Sequence, residues 1–166
     1  MFRPLAENLY KTDLSTLLRT YDWIVPTSQS IHIVCVATLF TSALVVNLRI
    51  LGFGPRGRSL SQLSRVALPC MWIALAGLLF TGTVQTIAEP VRQFVAPLYW
   101  IKMAMIVAVT VLTAWYAASI RTRAAFWDNS QTRPAGAKAF AVVATLLWVL
   151  IVICGRFIGY TSAFYQ

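Results

Sequence analysis

The chain is poor in charge, in histidine and in acids. Charged residues make up 11% of its 166 positions, and 58% are hydrophobic. A soluble domain carries about 25% charged and 45–50% apolar residues, so this composition excludes an ordinary soluble fold. There is one histidine, His32, which rules out bis-histidine ligation within one protomer. The three cysteines, Cys35, Cys70 and Cys154, are odd in number and sit in or beside apolar runs. They form no disulfide framework and read as small core-filling residues, with a soft metal ligand as the other reading. No HExxH, GxSxG or Walker loop is present, so nothing supports a hydrolase or a P-loop enzyme. No internal repeat is visible, which argues against an independent transporter. Residues 1–27 alternate charges and lack the apolar core of a signal peptide. Basic residues outnumber acids by 14 to 5, but they cluster beside hydrophobic runs, where orientation signals and anionic lipid account for them. No aromatic–basic surface for nucleic acid is visible.

What is present is four long apolar runs. About 20 apolar residues cross a bilayer as a helix, and the runs predict spans at about 28–50, 68–88, 98–119 and 139–160. Residues 5–21 place Leu5, Leu9, Leu14, Leu17, Leu18 and Tyr21 at roughly helical spacing with charges between, predicting an amphipathic helix on the membrane surface. Trp23 and Pro26 mark the entry to the first span. The fold class expected is all-α: a single-domain integral membrane four-helix bundle over residues 1–166 with an N-terminal interfacial helix.

Orientation follows from the loops. The first and third carry Arg49, Arg56, Arg58, Arg65, Arg121, Arg123, Arg133 and Lys138, whereas the second carries Arg92 alone. Short loops rich in Lys and Arg stay cytoplasmic. The chain is therefore expected in a bacterial inner membrane with both termini in the periplasm.

That orientation puts polar groups from all four spans at one depth. His32, Gln85, Lys102 and Arg156 each lie three or four residues inside the outer end of a span, and Glu89 stands at its mouth. At 1.5 Å per residue all are within roughly 6 Å of the outer boundary. Ser28, His32, Cys35 and Leu39 share a helix face, as do Lys102, Met105, Val109 and Thr113. Gly155 and Gly159 form a GxxxG pattern that admits a close neighbour. An ionisable group inside a membrane is a functional candidate by default. Against this, Lys102 and Arg156 sit near helix ends and can snorkel to headgroups, Glu89 can pair with Arg92, and His32 can simply bond a neighbouring helix.

The sequence resembles an uncharacterised bacterial family of four-span inner-membrane proteins, a domain of unknown function. The resemblance rests on Trp23 to Pro26, on Ser30 to Ile33 around His32, and on Asn47 to Gly52. Further pieces are the L-x-F-T-G of the second span, Lys102 following Tyr99-Trp100, and Cys154 to Tyr160. In that family the Asn47 position is usually Asp, so the resemblance carries no carboxylate role here. A fold-level likeness extends to HemJ-type protoporphyrinogen oxidases, CopD-type copper proteins and b-type cytochrome anchors, and implies cofactor roles for His32 and Lys102 by analogy.

Three functional classes follow. The leading one is a redox or ligand-binding membrane subunit with a haem b or quinone near the periplasmic face. His32 would be metal ligand or proton-exchange group, Lys102 and Arg156 anion or ring partners, and Gln85 and Glu89 the hydrogen-bonding wall. The second is a structural or assembly subunit without a cofactor, packed against other membrane or periplasmic subunits or a second copy of itself. The third is copper handling, with Cys35 at i+3 from His32 and Met103 and Met105 as soft ligands. No catalytic residue is assigned.

Overall fold

In the computed structural model the described residues are 3–53, 59–128 and 135–161. Arg56, Arg58 and Arg133 of the basic loops lie outside them, and the side chains of Gly159 and Tyr160 are likewise not described. The helices are α1 (Arg3–Tyr10), α2 (Asp13–Thr20), α3 (Ile24–Leu51), α4 (Leu60–Ala88), α5 (Pro90–Phe94), α6 (Pro97–Thr122), α7 (Ala124–Asp128) and α8 (Ala135–Thr161). Among the described residues no strand occurs.

Four of these helices, α3, α4, α6 and α8, are long and apolar enough to cross a membrane. Their outward faces stay apolar: Ile33, Ile73, Phe80 and Trp115 are 67%, 74%, 71% and 68% exposed. Water would not tolerate such a belt on every helix of a bundle, but lipid solvates it. The protein is a multi-pass, four-helix membrane bundle.

Each span is longer than its apolar run, for local reasons. Helix α3 starts four residues before the expected boundary because Pro26 falls in its first turn, where an N–H has no intrahelical acceptor anyway. It ends at Gly52, whose φ of +99° is left-handed. There the N–H groups of Gly52 and Phe53 close back onto the Arg49 and Leu48 carbonyls, a termination that needs glycine. Helix α4 begins about two turns before the expected Leu68. Ser59 and Gln62 form a reciprocal capping box, and the polar turns that follow still bury Leu60 and Ser64. Pro69 sits inside α4 and deprives the Arg65 carbonyl of its helical partner.

The spans form a ring of antiparallel neighbours. Helix α3 packs most extensively on α4 and also on α8, α8 packs on α6, and α6 closes more loosely on α4. Leu39, Ala43, Met71, Val109 and Trp148 fill the centre. Small residues permit the close approach. A Cβ on Gly77 would lie 2.7 Å from Cys35 Sγ, so the α3–α4 spacing depends on a glycine there. Lower down, the Thr145 hydroxyl donates to the Ala141 carbonyl (2.8 Å) and accepts from Asn47 Nδ2 (3.0 Å), joining α8 to α3.

The two ends of the bundle differ. One carries the basic residues Arg49, Arg65, Arg121, Arg123 and Lys138. There Tyr116 packs between the rings of Trp127 and Phe140. The Asp128 carboxylate accepts from the Ser61 N–H (2.9 Å) and hydroxyl (2.6 Å), placing an anion on the N-terminus of α4. The other end is covered by α1, α2 and α5, which touch one another and the ends of α3, α4 and α6.

The expected single helix over 5–21 is in fact two. Thr12 ends one and caps the next, its hydroxyl oxygen accepting from the Ser15 N–H. Arg19 clasps them together, donating to the Tyr10 and Ser15 carbonyls and lying 3.5 Å over the Tyr10 ring. Ala6 and Ser15 are fully buried beneath this hairpin, while Leu5, Leu14 and Leu17 face outward.

Slight burial pushes the Asp128 carboxyl up, but the Ser61 hydrogen bonds, with others from Ser59 and Leu60, outweigh it and hold the group below its ordinary value. A depressed carboxylate contributes stability above the ordinary carboxylate range and loses it as pH falls through the lowered pKa. Thermal unfolding of detergent-purified wild type and Asp128→Ala should therefore differ at neutral pH, with the variant less stable. The gap should close as the pH is taken below the carboxylate range; a pH-independent gap would contradict this role.

Candidate functional site

The end beneath α1, α2 and α5 holds the polar layer. Thr81, 1% exposed, is its fixed point. Its hydroxyl donates to the Gly77 carbonyl of its own helix at 2.7 Å, the i−4 back-bond that threonine makes inside apolar helices. A hydroxyl has one proton to give. With that proton committed, the Thr81 oxygen acts as acceptor toward His32 Nδ1, 2.8 Å away. This arrangement favours the ring proton on Nδ1, which leaves Nε2 of a neutral imidazole with a lone pair. Among the described residues nothing hydrogen-bonds Nε2. One turn earlier Ser28 donates to the Thr81 carbonyl at 3.3 Å, so α3 grips α4 through two polar contacts at the same level. Gly82 faces the ring, and a Cβ there would come to 3.7 Å from His32 Cε1.

Lys102 enters from α6 and turns toward α8. Its Nζ lies 3.6 Å from where a Gly155 Cβ would be, and the Cys154 thiol is near enough to feel its charge. The charge of Lys102 also reaches His32. Among the described residues this ammonium has no carboxylate partner and no hydrogen bond. Gly155, which the sequence presented as half of a helix-packing motif, thus borders the Lys102 side chain, at a distance that an added Cβ would also tolerate.

The other expected residues are placed as follows. Gln85 lies one turn beyond Thr81 on α4, half-buried, and its Nε2 is buried without a partner. Glu89 is ion-paired with Arg92 at the rim, both partly exposed. Arg156 is exposed on α8. So His32, Gln85 and Lys102 occupy the layer, Glu89 stands above it, and Arg156 is on the outside of the bundle. Cys35 directs its sulfur at Gly77, and among the described residues no three His, Cys, Asp or Glu side chains cluster as a metal site.

A family model matches residues 7–161. The chain belongs to the family of unknown function DUF6644. No curated protein and no solved structure matches it. The layer in this DUF6644 protein includes residues that the sequence did not single out. Thr81 and Ser15 sit in apolar or amphipathic stretches where a hydroxyl looks like packing, whereas spacing already places Ser28 on the His32 face of α3. For Thr81 the signal was available: it lies four residues before Gln85, on the same face of α4.

Ser15 adds to the same end of the DUF6644 bundle. It is completely buried under the α1–α2 hairpin, and its hydroxyl has no partner. Arg92 Nε in α5 is also buried and unpartnered. Buried polar atoms are normally satisfied, so Ser15 Oγ, Gln85 Nε2 and Arg92 Nε stand out at this end.

Replacing Thr81 by Val would strand the His32 Nδ1–H, which costs about 1–3 kcal/mol for a buried donor, at the low end inside a membrane. Thr81→Ser keeps the acceptor. Thermal unfolding in detergent should rank wild type and Thr81→Ser together with Thr81→Val below them; equal stability of all three would remove the bond from the account.

Proposed function

We propose that this DUF6644 protein is a membrane-embedded redox or ligand-binding subunit that holds a haem- or quinone-type group at its polar layer. The observation that carries the proposal is the contact at His32: Nδ1 lies 2.8 Å from a Thr81 hydroxyl that also bonds its own helix, an arrangement that favours Nδ1–H and leaves Nε2 without a protein partner among the described residues. A histidine whose second nitrogen is fixed by a hydrogen bond is oriented and tuned, as ligating and proton-exchanging histidines usually are. The unpaired Lys102 ammonium, near enough for its charge to act on His32, supplies a complement for a ligand carboxylate or carbonyl.

The residues suit both groups. A haem would be held by His32 Nε2 at its iron and by Lys102 at a carboxylate; bound, the group would supply one-electron transfer. For a quinone, His32 exchanges a hydrogen bond with the ring oxygen, and Gln85 and Lys102 donate to it. In either case Thr81 holds the imidazole, Gly82 and Gly155 leave space around it and around Lys102, and the α1–α2 hairpin with α5 screens the layer from water. The basic residues at the opposite end support a periplasmic position for this layer in a bacterial inner membrane, with both termini on that side. Such a subunit would work beside other membrane or periplasmic subunits.

Detergent-purified protein tests the proposal through its absorption spectrum and through mass spectrometry of a solvent extract. A Soret band, or a quinone near one per chain, should be present in wild type and lost in His32→Ala. A featureless spectrum together with a quinone-free extract would contradict it.

A further inference from the structure

We infer that the group held at the polar layer is the head of a quinone or quinol with its isoprenoid tail left in the lipid. The inference rests on the cofactor reading above and narrows it. Three observations point to a small ring in place of a macrocycle.

The first is the chemical complement. The layer offers one nitrogen base, His32 Nε2 in the Nδ1–H tautomer, and two unused donors, the Gln85 Nε2 amide group and the Lys102 ammonium. A hydroquinone hydroxyl donates and a quinone carbonyl accepts. A base and surplus donors at the same end of the bundle would therefore serve both redox states: Nε2 accepts from the hydroxyl, and Gln85 or Lys102 donates to the carbonyl. A haem would use Nε2 for the iron and Lys102 for a propionate, but would leave the buried Gln85 Nε2 without a role.

The second is space. Two partly open hollows, about 10 and 20 Å³, lie deeper in the bundle, against Leu39, Met71 and Trp148 and against Asn47, Tyr116 and Phe140. Each admits one water at most, whereas enclosed sites for organic ligands run to about 300–1,000 Å³. A macrocycle would have to part the α3–α4 pair, which is held by Ser28, His32 and Thr81 and by the Gly77–Cys35 contact. A single flat ring at the end of the bundle need not part it.

The third is access. His32 is only half-buried, and its helix neighbours Ile31, Ile33 and Val34 are exposed apolar side chains, as are Leu79 and Phe80 on α4. A ring at the layer therefore borders a surface that lipid covers, and an isoprenoid tail can lie along it.

The test uses the full chain purified in detergent and then placed in phospholipid nanodiscs, titrated separately with a short-tailed ubiquinone, a short-tailed menaquinone and haemin. Quinone binding is read from quenching of tryptophan fluorescence, and haemin binding from its absorption band. Saturable binding of at least one quinone is expected. It should weaken on the order of tenfold or more in His32→Gln and in Lys102→Met, with melting temperatures near wild type, and stay unchanged in the distant variant Asn47→Ala. Gln85→Leu, which removes a donor and no base, should weaken the oxidised quinone more than the quinol. Quinone affinity that is equal in wild type, His32→Gln and Lys102→Met would overturn the inference. Stoichiometric haemin binding that needs His32, without quinone binding, would overturn it too but leave the broader cofactor reading standing. Binding of neither would remove both.

Discussion

One hydroxyl proton sets the chemistry of this bundle. Thr81 sits in an apolar helix with water excluded, so its proton goes to the nearest carbonyl, that of Gly77. That leaves the oxygen as an acceptor and favours Nδ1 as the protonated nitrogen of His32. The charge-free surroundings of α3 would otherwise leave the imidazole free to choose its tautomer. The same device recurs in the other half of the bundle, where Thr145 gives its proton to Ala141 and accepts from Asn47. The difference lies in what remains. Asn47 is an amide with little chemistry to offer, whereas His32 is left with a basic lone pair.

The packing explains why that geometry persists. The α3–α4 contact is the most extensive in the structure, and it is close because Gly77 has no side chain to hold Cys35 away. In lipid, apolar area does not drive helices together; close van der Waals packing and a few interhelical hydrogen bonds do. Here Gly77, Ser28, Thr81 and His32 are at once the adhesion between two spans and the frame of the site. Lys102 belongs to the looser side of the ring, on α6, and reaches its place by lying against Gly155 of α8.

The spans and the class of fold were legible in the sequence because long charge-free runs have few alternative readings. Boundaries were less so. The first two turns of α4 are polar, and only the Ser59–Gln62 capping box, a local signal, announces them. The break at Thr12 was hidden because amphipathic spacing continues across it, although a threonine followed by an acid is a fair helix start. Within the layer, depth alone identified His32, Gln85 and Lys102, since charged and amide side chains stand out in apolar runs. Depth says nothing about rotation around a helix axis, so it placed Arg156 with them, although that side chain is exposed on the outside of α8. Thr81 was overlooked for the converse reason: a hydroxyl satisfied by its own backbone leaves no mark in composition. Gly77 had the same anonymity, defined only by the Cys35 side chain it admits.

The state of the lone imidazole decides the account, and the chain has a single histidine to observe. Protein labelled with ¹⁵N at histidine, reconstituted in lipid at neutral pH, should give one protonated and one unprotonated ring nitrogen, with Nδ1 as the protonated one in wild type. In Thr81→Val that preference should disappear. An Nε2–H tautomer in wild type, or a doubly protonated ring at neutral pH, would contradict the central claim.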